Sequence, residues 1–129
     1  MKQRGIFPLL LGILFYSACD SSGNRNKQLD LDPLKVSPGI FKILLENEHV
    51  RVVKYSLQPR EKDDWHTHPA KSSYVVSGGK LKVHLKTGEI ILADEKEGTA
   101  TWMDYVGEHY VENIGNTIVT IVFTEIKTK

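Results

Sequence analysis

The chain has 129 residues, with 17 lysines and arginines against 16 aspartates and glutamates, and a single cysteine. That length accommodates one domain and excludes a second core. A formal charge of +1 without any basic block leaves no electrostatic footprint for nucleic acid, and a lone cysteine excludes an intramolecular disulfide.

At the N-terminus, Lys2 and Arg4 precede an apolar run from Ile6 to Tyr16, which Ser17, Ala18 and Cys19 follow. Charge, apolar run and small residues in that order predict a secretory signal peptide, and the run is too short to span a bilayer. Ser17-Ala18-Cys19 resembles the lipobox of bacterial lipoproteins, although Tyr16 stands where leucine is usual. That resemblance implies cleavage after residue 18 and lipidation of Cys19, which would tether the protein to a membrane of the bacterial cell envelope, facing the periplasm or the exterior. Asp20 resembles an inner-membrane retention signal used by some bacteria. Losing Lys2 and Arg4 leaves 15 of the 17 basic residues against 16 acidic ones, a mature charge of −1.

From Asp20 to Gln28 the chain is small and polar without apolar periodicity, which predicts a flexible tether. Leu29 to Pro38, with Pro33 and Pro38, reads as an extended lead-in along the domain surface. Residues 19–38 are thus tether and lead-in, and residues 39–129 the folded domain.

Beyond Phe41 short β runs alternate with turn residues. Val50 to Leu57 is β-branched and partly alternating, and Gln58-Pro59 ends it. Ser73 to Ser77 runs into Gly78-Gly79, a hairpin signal; Leu81 to Lys86 alternates cleanly up to Thr87-Gly88, across which Glu89 to Leu92 pairs back. Thr99 to Met103, Glu108 to Asn113 and Thr117 to Lys127 complete the set, and no window of the domain carries a helical period. The fold class is therefore all-β, a small antiparallel barrel or sandwich with room for a pocket at one mouth.

The five histidines separate by the period of two. His66 and His68, in Asp64-Trp65-His66-Thr67-His68-Pro69, point to one face of an extended segment and suit chelation of a divalent cation, which needs a further ligand. His84 shares its face with Lys80, Lys82 and Lys86 and belongs to the solvent side; His49 lies in a turn. His109 remains, on a face with Val111 and Asn113, either as the third ligand or as a hydrogen-bonded core histidine.

The order of these pieces resembles a cupin domain, a double-stranded β-helix with two short motifs. His66-Thr67-His68-Pro69, then Tyr74 to Val83, then Gly107 to Thr117 match that order over about Gly39 to Lys127, together with Asn47 to Val52 at the first strand and the closing Thr124 to Lys127. The resemblance is nearest to small single-domain cupins. It implies metal ligands at His66, His68 and His109, the motif asparagine at Asn113 and the turn glycine at Gly78. Two departures stand out. Ser72 and Ser73, with Lys71 beside them, occupy the place of the family's glutamate, and the second motif keeps Gly107 without the usual proline.

Three neutral imidazoles would leave a cation's charge uncompensated and two or three positions open. Iron(II) in such a site suits dioxygen activation, as in the three-histidine cupin dioxygenases it resembles; zinc suits activation of water. Iron, zinc, manganese, nickel and copper are not distinguished by the sequence. Tyr74 and Tyr105 are candidate acids or substrate donors, and Trp65 and Trp102 candidate pocket walls, although each packs elsewhere in most β domains. The alternative is a non-catalytic module that binds a small molecule or a metal. By resemblance alone, the chain is expected to form a homodimer.

Overall fold

The structure is a computed structural model describing residues 30–129. The expected signal peptide, Cys19 and the polar tether lie outside the described residues. Eight strands follow one helical turn, α1 (Pro33–Val36): β1 (Phe41–Glu46), β2 (Val50–Leu57), β3 (Lys71–Ser77), β4 (Gly79–Leu85), β5 (Ile90–Glu95), β6 (Ala100–Met103), β7 (His109–Asn113) and β8 (Val119–Ile126). They form two antiparallel sheets, a larger one in the order β1-β2-β8-β3-β6 and a smaller one in the order β5-β4-β7.

Alternation accounts for the packing. In β8 the residues Val119, Ile121, Phe123 and Glu125 are buried and those between them half-buried; in β7 His109, Val111 and Asn113 are buried. The apolar members of these faces join Phe41, Val53, Tyr55, Leu57, Val75 and Leu81 in a core between the sheets. Their burial is the main favourable term, roughly 1.5–3 kcal/mol for each large apolar side chain.

Two local expectations change. Gly78-Gly79 does not form a hairpin: β3 pairs with β8 and β6, whereas β4 pairs with β5 and β7, so the chain passes there from one sheet to the other. A Cβ on Gly78 would lie 2.2 Å from the Glu95 carbonyl oxygen, so the glycine serves close passage of two backbones. The Thr87-Gly88 turn does join β4 to β5, with Gly88 at φ 93°.

The lead-in, expected to be extended, contains the α1 turn. Asp32 caps it by accepting from the Leu34 N–H at 3.1 Å, and Pro33 opens it. The segment is fastened to the domain, since the Thr67 N–H donates to the Leu31 carbonyl at 3.0 Å and the Asp64 N–H to Ser37 Oγ at 2.9 Å.

Candidate metal centre

Residues 60–68 run beside β7 as an irregular antiparallel segment that carries the histidine pair. The Arg60 N–H donates to the Asn113 carbonyl, the Asp63 N–H to the Val111 carbonyl, and His66 and His109 exchange both backbone bonds at 2.9 and 3.0 Å. This pairing sets His109 of β7 directly opposite His66. Its far end is locked by Asn113, whose side-chain amide donates to the carbonyls of Leu57 and Thr117 and accepts from the Gly115 N–H.

His66, His68 and His109 are all buried, and their ligand-competent nitrogens lie within 4.8 Å of one another. Ring centroids are 4.4 Å apart for His66 and His109, 4.8 Å for His66 and His68, and 5.6 Å for His68 and His109. Each imidazole is held by its Nδ1. His66 Nδ1 is 2.7 Å from the Asp64 carbonyl oxygen, His109 Nδ1 is 2.9 Å from the Gly107 carbonyl oxygen, and His68 Nδ1 is 2.6 Å from Glu125 Oε1. All three partners are acceptors, so each Nδ1 carries the proton and each Nε2 keeps its lone pair. Gly107, at φ 82°, turns its carbonyl to His109 in a conformation that disfavours other residues.

Electrostatics reinforces neutrality. Burial pushes His66 down to about 3, and its neighbours His68 and His109 push the same way. Burial likewise lowers His68 and His109, helped for both by the nearby Lys71 charge. Neutral imidazoles with oriented lone pairs are the state that binds a divalent cation.

Three further charged residues surround the cluster, to which the strand pattern alone assigns no role. Glu125 is buried on the inward face of β8, where its Oε2 accepts from Arg51 Nε at 2.7 Å while Oε1 holds His68; Arg51 in turn donates to Asp32 at 2.8 Å. A line of hydrogen bonds therefore runs from Asp32 through Arg51 and Glu125 to His68. Asp63 is buried between the Val111 N–H at 2.6 Å and the Tyr55 hydroxyl at 3.2 Å, and burial raises it to about 7 against the effect of those bonds. Lys71, at the start of β3, is 4% exposed, and burial lowers it to about 7. Its ammonium lies 3.6 Å over the centroid of the Phe123 ring. Such a contact is worth about 2 kcal/mol when desolvated, below the several kcal/mol cost of burying an ion.

The signals for two of these were present. Glu125 lies in step with Val119, Ile121 and Phe123, and Lys71 in step with the buried Val75. For Asp63 no periodic signal existed, because the chain bends at Trp65 and buries Asp63 while Asp64 is exposed.

The histidines enclose a cavity of about 130 Å³ with Lys71, Asp63 and Glu95, walled by Leu81, Val83, Ile91, Val106 and Phe123. An engineered apolar cavity of ~150 Å³ admits benzene, so the space suits a small molecule. Ser73 lines it and bonds Thr101 at 2.8 Å; among the described residues no carboxylate joins the three imidazoles within ligand range.

Other candidates lie elsewhere. His84 stacks on Tyr110 at 4.3 Å, and His49 is exposed beside Glu48. Tyr74, Tyr105 and Trp102 are exposed, and Trp65 packs edge-on against Tyr110 at 4.8 Å.

No protein-family model matches the chain, and no curated protein sequence matches it. Among solved structures it is similar to a cupin domain from Bordetella pertussis Tohama I, with TM-score 0.64 and 24% identity over 69% of this chain and 93% of that one. A cupin-family protein from Methanocaldococcus jannaschii, described as RmlC-like with a double-stranded β-helix, matches with TM-score 0.55 and 17% identity over 67% of this chain and 78% of that one. A protein from Thermotoga maritima described as a predicted oxalate decarboxylase matches with TM-score 0.51 and 21% identity over 68% of this chain and 79% of that one. The two sheets and these likenesses give the chain the double-stranded β-helix fold of cupin domains.

Proposed function

We propose that the domain holds one divalent metal ion on His66, His68 and His109 and uses it to bind and transform a small molecule in the adjoining cavity. The observation that carries this reading is the commitment of all three Nδ1 atoms to outer acceptors, which leaves three Nε2 lone pairs for a single cation. A bound metal would supply Lewis acidity and, as iron(II), dioxygen chemistry of the dioxygenase type. A non-catalytic binding module is the second reading. It is favoured by Tyr74 and Tyr105, whose exposure removes both tyrosine candidates for proton transfer from the cavity.

Metal analysis of the protein, purified without a metal-binding tag, tests the proposal. Stoichiometric metal that His66→Ala abolishes is the expected result. If neither metal content nor stability responds to His66→Ala, the site assignment is wrong. Oxygen uptake by the iron-loaded protein with enolizable and thiol substrates separates the catalytic reading from the binding one.

The reading also includes export. Residues 1–18 act as a lipoprotein signal peptide and Cys19 carries the lipid, on the support of the apolar run and Ser17-Ala18-Cys19. Incorporation of labelled fatty acid that Cys19→Ser abolishes is expected; incorporation that survives the substitution would refute it.

A further inference from the structure

Lys71 is a buried lysine that no carboxylate ion-pairs, although Glu125, Asp63 and Glu95 lie near enough to favour its charged form. It is 4% exposed and lines the cavity, with its ammonium against the Phe123 ring. The neighbouring carboxylates are engaged elsewhere. Both oxygens of Glu125 are taken by His68 and Arg51, and both oxygens of Asp63 by the Val111 N–H and the Tyr55 hydroxyl. Glu95 lines the same cavity, half-buried, and forms no hydrogen bond to Lys71. Among the described residues no ion pair holds the Lys71 ammonium.

An unpaired buried ammonium is expensive, and the cost falls when a ligand brings the missing charge. The cavity's polar lining is the three histidines, Asp63, Lys71, Ser73, Glu95 and Thr101, and Leu81, Val83, Ile91 and Val106 give it an apolar wall, with Ile91 and Val106 partly open to solvent. A ligand that satisfies both parts has one anionic end and a compact hydrocarbon body.

We infer that the cavity takes a small apolar monocarboxylate, its carboxylate paired with Lys71 and its hydrocarbon part against Leu81, Val83, Ile91 and Val106. This rests on the reading of the cavity as a ligand site, but not on the metal, because the counter-charge comes from Lys71. The same residue would give the site a preference for acids over neutral isosteres.

Isobutyrate and isobutyramide have the same shape and differ in charge, so they isolate the contribution of Lys71. Binding of each is measured by NMR titration at pH 6.5 to the purified protein, with and without zinc, for wild type and Lys71→Met. The acid should bind at least tenfold more tightly than the amide in both wild-type forms, and Lys71→Met should erase that ratio in the zinc-free form. Equal binding of the two probes, no binding of either, or a ratio that survives Lys71→Met would overturn the inference. Lys71→Leu repeats the comparison if the methionine variant does not fold. Zinc stoichiometry on the same samples decides the metal reading separately, since the zinc-free ratio does not depend on it.

Discussion

Replacing Glu125 by glutamine tests whether the carboxylate behind His68 sets its tautomer. In the native protein the two carboxylate oxygens receive two donors, His68 Nδ1 at 2.6 Å and Arg51 Nε at 2.7 Å. Glutamine preserves shape but offers one acceptor and one donor group, so it cannot satisfy both. If its oxygen stays with Arg51, its NH₂ faces His68 Nδ1 and favours the tautomer with the proton on Nε2, which removes one lone pair from the cluster. Loss of such an outer partner typically costs 10–100-fold in metal affinity, or about 1.4–2.8 kcal/mol. Folding stability should fall as well. Breaking a buried pair costs about 3–5 kcal/mol, and the retained Asp32 contact to Arg51 moves the expectation to about 2–3 kcal/mol. Zinc affinity is read by competition with a chromophoric chelator, and stability by urea denaturation of the zinc-free protein. Zinc affinity within twofold of wild type would refute the tautomer argument, even if stability had dropped.

Asn113→Ala should destabilise the zinc-free protein by about 3 kcal/mol, since it strands three backbone groups, each worth roughly 1 kcal/mol, in denaturant titration; a loss below about 1 kcal/mol would show that water replaces the amide. Gly78→Ala should prevent folding or lower the melting temperature sharply, because a Cβ there meets the Glu95 carbonyl oxygen at 2.2 Å; a melting curve like that of wild type would show that the two strands separate easily. The zinc-free protein should lose stability as pH falls below 6.5. There the unfolded chain takes up protons on His66, His68 and His109, which burial keeps neutral in the folded state, while the folded chain gains one on Asp63, which burial raises to about 7, and Lys71, lowered to about 7 when folded, is by then mostly charged in both states. The imbalance is about two protons, so a urea midpoint at pH 5.5 equal to or above that at pH 7.5 would contradict it. We also propose, on the family resemblance, that the protein is a homodimer; sedimentation should show a dimer, and a monomeric wild type would refute this.

Strand identity was legible because β2, β7 and β8 alternate against a single core, and the co-facing of His66 and His68 followed from the same period. Their meeting with His109 is a tertiary fact. It depends on an irregular segment pairing with β7, which local pattern cannot announce, and the order of motifs supplied it through resemblance. Gly78-Gly79 misled for a related reason: two glycines fit a tight turn and a crossing between sheets equally well, and only the partner strands decide. Lys71 and Glu125 escaped notice because charged residues in strands ordinarily face water. Their phase with Val75 and Phe123 argued otherwise. The bend at Trp65 hid Asp63, since a break in extension resets which residues share a face.

The hydrogen-bonded line from Asp32 to His68 bears on where this domain can be cut. A shortened protein starting at Gly39 would keep all eight strands and the three imidazoles. It would lose Asp32, leaving Arg51 with Glu125 as its remaining carboxylate partner, and Ser37, to which the Asp64 N–H beside the histidine pair is tied. The least conspicuous stretch of the fold, one helical turn before the first strand, thus belongs to the support of the centre, and a truncation meant to be innocuous would act as a mutation of it.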